Sequence, residues 1–233
     1  HNDSRWPFKW WIRFHEDVSI DEVKALSIWM SLKVAVVDIP LWWAKWWIII
    51  DPKTISLNEL ENLSRWYVRA IYKNIWPLVD IPAPDVNTNS QIMAWMVDEY
   101  SKLAGTFTPW VFTSKPLSIW WSLWRDKATS LWWFFVLENI LELNNDSLVW
   151  KTVVVQWLGN VWLNVLEYLE KAQAKIIAVS DSKWWIYHES WLDVNKILDL
   201  KKAKKFLNEY LPTITKITNK DLLEIETDIL IPS

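Results

Sequence analysis

Residues 151–181, KTVVVQWLGNVWLNVLEYLEKAQAKIIAVSD, decide how the chain is to be read. KTVVVQ (151–156) is a β-branched run suited to a buried strand, and KIIAVS (175–180) is a second. Between them, residues 161–171 carry apolar side chains at helical spacing. Strand, turn, helix and strand within about 30 residues form a βαβ unit, from which parallel sheets are built. The turn is the informative part. A dinucleotide-binding βαβ unit opens its helix with G-x-G-x-x-G, whose glycines allow a tight turn, close approach to a pyrophosphate and packing of helix on strand. Here those positions are Trp157, Gly159 and Trp162, and only the middle one is glycine. Asp181 ends the second strand, where a carboxylate can accept hydrogen bonds from an adenosine ribose.

The same periodicities organise the rest of the chain. Helices are expected over residues 21–33, 58–75, 91–103, 126–143, 193–198 and 201–210. The second is opened by Ser56 with Glu59 three residues on, the spacing of a capping box. Short strands are expected at 48–50 and 228–231, and residues 80–90, with Pro82 and Pro84, as a loop. The class is α/β, with a domain over residues 1–125 containing a mixed sheet and a doubly wound nucleotide domain over 126–233. An open parallel sheet should not stop at its next strand, and the chain opens on His1, so it reads as a fragment truncated at both ends.

Composition excludes several functions. The 233 residues are 52% hydrophobic and 23% charged, which is globular rather than disordered. A net charge of −3 gives no polybasic surface, so nucleic acid is not the expected partner. The absence of cysteine excludes disulfides, thiolate zinc sites and thiol nucleophiles, and fits a cytoplasmic location. The longest apolar stretch, 41–50, is interrupted by Lys45 and too short to span a bilayer. His1, His15 and His188 have no metal-ligand spacing, so no metal is expected.

One feature of composition is far from ordinary: two glycines and 23 tryptophans. At roughly 7% usage a chain of this length would hold about 16 glycines. The tryptophans include six adjacent pairs, at 10–11, 42–43, 46–47, 120–121, 132–133 and 184–185, which are hard to bury because neighbouring side chains point apart. Several stand where turn chemistry favours glycine. A tryptophan-rich binding module is the alternative reading, but the pairs are scattered over the whole chain and form no periodic stripe.

Four segments settle the matter. KWWIRF (9–14), PLWWAKWW (40–47), IPAPDVNT (81–88) and WWSLWR (120–125) resemble signature segments of the glutamate dehydrogenase family, which read K-G-G-I-R-F, P-x-G-G-A-K-G-G, P-A-P-D-V-x-T and G-G-S-x-G-R. The segments occur in family order, and every departure within them replaces glycine by tryptophan. Twenty tryptophans follow this rule: positions 6, 10, 11, 42, 43, 46, 47, 76, 110, 120, 121, 124, 132, 133, 150, 157, 162, 184, 185 and 191. Restoring them gives 22 glycines, whereas Trp29, Trp66 and Trp95 are left as tryptophan. Scattered mutation does not produce such a pattern; a source that decodes UGA as glycine, translated with a table in which UGA is tryptophan, does.

The resemblance implies a substrate-binding and oligomerisation domain followed by a Rossmann-type domain, with the active site in the cleft between them. It implies reversible oxidative deamination of L-glutamate to 2-oxoglutarate and ammonium with NAD or NADP, in a homohexamer. Lys9 matches the lysine that meets the side-chain carboxylate, and Lys33 the one that holds the α-carboxylate. Lys45 and Asp85 match the catalytic lysine and aspartate. Thr129 matches a residue near the nicotinamide, and Trp157, Gly159, Asn160 and Val161 form the cofactor turn. Asp181 favours NAD slightly, because a carboxylate repels a 2′-phosphate.

Overall fold

A computed structural model of the chain describes residues 5, 7–210 and 215–232. The chain divides between Arg125 and Asp126 into two compact units. The first unit runs β1 (Phe8–Phe14), α1 (Ile20–Val36), β2 (Trp42–Trp43), β3 (Trp46–Ile48), α2 (Leu57–Ile71), β4 (Asp80–Pro84) and α3 (Ser90–Ala104), with 3-10 turns at Pro109–Val111 and Leu117–Ile119. From the junction onward come α4 (Arg125–Leu143), β5 (Thr152–Val155), α5 (Asn160–Lys171), β6 (Lys175–Ser180), β7 (Trp185–Tyr187), α6 (Val194–Lys202), β8 (Thr215–Ile217), α7 (Asn219–Leu223) and β9 (Ile229–Ile231).

β1 organises the first unit. Its alternation buries Trp10, Ile12 and Phe14 against Tyr67, Val68 and Ile71 of α2 and Met93, Met96 and Tyr100 of α3. Lys9, Trp11 and Arg13 therefore lie on the other face of the strand. β2 and β3 pair with successive parts of β1, and β4 pairs with it separately. Every ladder in this sheet is parallel, so the mixed pairing expected here is found instead in the second unit. α1 starts on Ser19, whose hydroxyl accepts from Glu22 N, and α2 starts on the complete Ser56–Glu59 capping box. Gly105 ends α3 at φ 71°, a conformation that favours glycine.

Residues 80–84 form a strand rather than the loop their prolines suggest. β4 tolerates Pro82 and Pro84 because it lies at the edge of the sheet, where a missing N–H interrupts only one side of the ladder. The strand expected at 48–50 is centred two residues earlier, on β3, where pairing with β1 fixes its register.

In the second unit the sheet order is β8-β7-β6-β5-β9. β5 pairs in parallel with β6 and β9, and β7 and β8 continue antiparallel. Val153 and Val155 of β5 and Ile176 and Val179 of β6 pack with Val165, Leu166 and Leu169 of α5. The helix expected at 201–210 does not form. Lys204 takes φ 57°, which ends α6, and only a 3-10 turn at Leu207–Glu209 follows. No helix among the described residues is long and apolar enough to cross a membrane.

Candidate active site

The β1/β3/β4 sheet carries a cluster of charges at one end. Lys45 lies in the connection between β2 and β3, and Asp85 follows the last residue of β4. Lys45 Nζ donates to Asp85 Oδ2, and Arg13 Nε donates to the same oxygen at 3.1 Å. The Lys45 side chain is only 5% exposed and that of Asp85 22%. Burial lowers the pKa of Lys45, the neighbouring Asp85 opposes that, and the Arg13 guanidinium adds to it. Burial pushes the Asp85 carboxyl up, but Lys45 and Arg13 together bring it below its ordinary value. The Asp85 backbone N–H donates to Thr88 Oγ1 at 2.6 Å, and Thr88 Oγ1 in turn donates to Ile12 O at 2.9 Å, so the aspartate is fixed to β1. This arrangement places a lysine and a carboxylate within hydrogen-bonding reach of each other, the geometry that general acid–base chemistry requires.

Lys9 stands four residues before Arg13 on the same face of β1, about 13 Å away along the strand. Its Nζ donates to Ile81 O at 3.1 Å and to Thr113 Oγ1 at 3.0 Å. Burial, with the Arg125 guanidinium adding to it, brings its pKa down to about 7 against the pull of Asp80. A cation held with so little compensating charge is suited to an incoming carboxylate, and it costs stability until one arrives. The folded state binds fewer protons here than the unfolded chain between pH 7 and 10.5, so stability from this site rises with pH over that window. In the full-length protein with glycine at the twenty positions, Lys9→Met is therefore expected to raise the ligand-free melting temperature at pH 7 by about 3 °C or more, an advantage that shrinks towards pH 10.5. Thermal unfolding of both forms across that range checks it.

Lys33 makes no hydrogen bond or ion pair with this cluster among the described residues. It lies exposed in the last turn of α1, without an ion pair or hydrogen bond among the described residues. Arg13, Thr88 and Thr113, in contrast, were missed by motif reasoning and touch the site residues directly. The signal for Arg13 was available, since strand alternation places it on the face of Lys9.

In the second unit the turn after β5 is tied to the end of β6. Trp157 N donates to Ser180 Oγ at 2.7 Å and Leu158 N to Ser180 O at 2.6 Å. Gly159 precedes the first residue of α5, Asn160, whose side chain lies outside the described residues. Ser130 Oγ donates to Val161 O at 2.7 Å, which anchors α4 on this turn, and the exposed Thr129 precedes Ser130 in α4. Asp181 differs from the open ribose acceptor expected of it. Its Oδ1 accepts from Lys183 N and Trp184 N, both at 2.9 Å, and its Oδ2 from Leu207 N at 3.1 Å and from Lys201 Nζ. Burial raises this carboxyl, but Lys201 and the backbone donors hold it below the usual range. A ribose hydroxyl would have to displace one of these four donors.

The backbone of the turn fits a dinucleotide: parallel strands joined by a helix whose N-terminus opens at the turn. Its side chains fit only if they are small. Trp157 takes φ 62° and is 55% exposed on the turn. Trp120, Trp124 and Trp150 share this left-handed conformation, at φ 55°, 75° and 66°. All four belong to the twenty positions at which the resembling family has glycine. Gly159, at φ −80°, has an ordinary backbone and open space where a Cβ would stand, so only the approach of a ligand would demand glycine there. The indole N–H groups of Trp10, Trp42 and Trp121 are buried without an acceptor among the described residues.

Residues 1–102 match the family model described as "Glu/Leu/Phe/Val dehydrogenase, dimerisation domain", and residues 122–233 match "Glutamate/Leucine/Phenylalanine/Valine dehydrogenase". The catabolic NAD-specific glutamate dehydrogenase RocG of Bacillus subtilis is 41% identical over 233 residues, covering all of this chain and 54% of its own length. An NAD-specific glutamate dehydrogenase of Staphylococcus aureus is 40% identical, with 100% and 56% covered. Among solved structures, the hetero-hexameric glutamate dehydrogenase from Thermus thermophilus superposes with a TM-score of 0.91 at 32% identity, covering 100% of this chain and 55% of that one. The chain thus spans about half the length of the relatives it matches. With both domains of one family matched in chain order, and Lys9, Lys45 and Asp85 standing in the segments that resemble it, this chain belongs to the Glu/Leu/Phe/Val dehydrogenase family.

Proposed function

We propose that the protein to which this chain belongs catalyses the reversible oxidative deamination of L-glutamate to 2-oxoglutarate and ammonium with NAD or NADP, NAD slightly favoured. The observation that carries this reading is the buried Lys45–Asp85 pair on a sheet that also holds the partly compensated cation of Lys9. Lys9 meets the side-chain carboxylate of glutamate, and Lys33, exposed and without an ion pair or hydrogen bond among the described residues, is the cation left to meet the α-carboxylate. Asp85 takes and returns the proton of the amino group through Oδ1, since its Oδ2 already accepts from Lys45 and Arg13. Lys45, whose neutral form is favoured by burial, activates the water that attacks the substrate imine. Trp157, Gly159, Asn160 and Val161 mark the turn that would hold the dinucleotide, with Thr129 beside its nicotinamide end, and the group would supply an acceptor for the hydride leaving Cα.

A homohexamer and a cytoplasmic location belong to the same proposal, as does glycine at the twenty positions of the functional polypeptide. Its support is the directional pattern of substitution and the four left-handed tryptophans. Glutamate-dependent reduction of NAD by the full-length protein with glycine at those positions is the test. A rate with leucine equal to or above that with glutamate would overturn the substrate assignment.

A further inference from the structure

Arg13 and Glu22 take no part in the chemistry described above, yet they are joined to it. Arg13, from β1, donates through Nε to Asp85 Oδ2 at 3.1 Å and through Nη1 to Glu22 Oε1 in the first turn of α1. Its side chain is 18% exposed and that of Glu22 38%. Four groups from four segments thus alternate in sign: Lys45, Asp85, Arg13, Glu22. A guanidinium can bond two carboxylates in one plane, which an ammonium cannot do with the same geometry. Asp85 Oδ1 accepts no hydrogen bond among the described residues.

We propose that Arg13, braced by Glu22, is a positioning residue that keeps Asp85 Oδ2 occupied and Oδ1 available for the reacting amino group, while the Glu22 charge offsets that of Arg13 at Lys45. The proposal rests on the reading of Lys45 and Asp85 as the proton-transfer pair. Arg13 stands beside Lys45 as a like charge and favours its neutral form, and Glu22 favours its protonated form. The other charged group facing Lys45 is Asp85, from the end of β4, which favours the protonated form as well. Without Glu22, the Arg13 field at Lys45 is opposed by Asp85 alone. Lys45 then gives up its proton at lower pH.

The test uses the full-length protein with glycine at the twenty positions. Competitive acetylation of Lys45 across pH, followed by peptide mass spectrometry, measures its neutral fraction whether or not the enzyme turns over. In Glu22→Gln the midpoint is expected to move to lower pH, raising the reactive fraction at neutral pH by about two- to fivefold. Arg13→Gln is expected to move it the other way, and Glu22→Asp to restore the parent midpoint. Where glutamate is oxidised, the acid limb of kcat/KM shifts with the labelling in Glu22→Gln, while KM for glutamate stays within about twofold. Equal labelling midpoints in parent, Glu22→Gln and Arg13→Gln would overturn the proposal and leave the glutamate reading intact. Opposite shifts in a parent that does not oxidise glutamate would uphold the coupling and remove that reading.

Discussion

The polypeptide with tryptophan at the twenty positions is expected to show neither measurable NAD binding nor glutamate oxidation, and the full-length form with glycine there to show both. The left-handed backbone costs an L-residue roughly 1–2 kcal/mol, and Trp120, Trp124, Trp150 and Trp157 all adopt it. Distant sites add, so these four alone remove about 4–8 kcal/mol, against a typical domain stability of about 5–15 kcal/mol. Each buried indole N–H left without an acceptor, at Trp10, Trp42 and Trp121, costs about 1–3 kcal/mol more. Trp157 also occupies the turn against which a pyrophosphate must lie. Denaturant unfolding and NAD titration of the two forms separate the effects on folding and on binding. Mass spectrometry of peptides spanning residues 40–47 from the native source decides directly which residue is present. A tryptophan mass at 42 and 43, or cooperative folding with NAD binding by the tryptophan form, would overturn the account.

The βαβ unit was legible because its signals are local: β-branched strands, helical spacing and a turn, all within 151–181. The capping box at Ser56 was legible for the same reason. β4 was not, since Pro82 and Pro84 argue against a strand unless its edge position is known, and that is a property of the sheet. The helix expected at 201–210 failed on one left-handed residue, Lys204, which nothing in its side chain announces. At the site, motif position singled out Lys45 and Asp85, and in the structure Lys45 donates to Asp85 Oδ2. It could not reveal that Asp181 is already filled by Lys201 and three backbone N–H groups, because those partners come from beyond the βαβ unit or from its own tight turn. Tryptophan at 157 and 162 hid two of the three G-x-G-x-x-G positions from a motif search. It left the hydrophobic periodicity that defines the surrounding elements in place.

Lys45→Ala and Asp85→Asn are each expected to lower kcat for glutamate by about a thousandfold, with NAD affinity little changed, in the full-length glycine form. Positioned acid–base groups contribute about 10²- to 10⁴-fold, and both residues stand remote in sequence from the dinucleotide turn. Because Lys45 and Asp85 share one hydrogen bond, they act as a unit, and the double variant should lose little more than the worse single one. The two singles differ in their pH dependence. Asp85 favours the protonated form of Lys45, so in Asp85→Asn the residual activity should have its acid limb at lower pH than the parent. In Lys45→Ala the carboxylate loses its main cationic partner and keeps only Arg13, so Asp85 protonates at higher pH than in the parent. Steady-state rates and pH profiles of the three variants check both statements. Fully additive losses in the double variant would mean that Lys45 and Asp85 serve separate steps, with their hydrogen bond contributing only to structure.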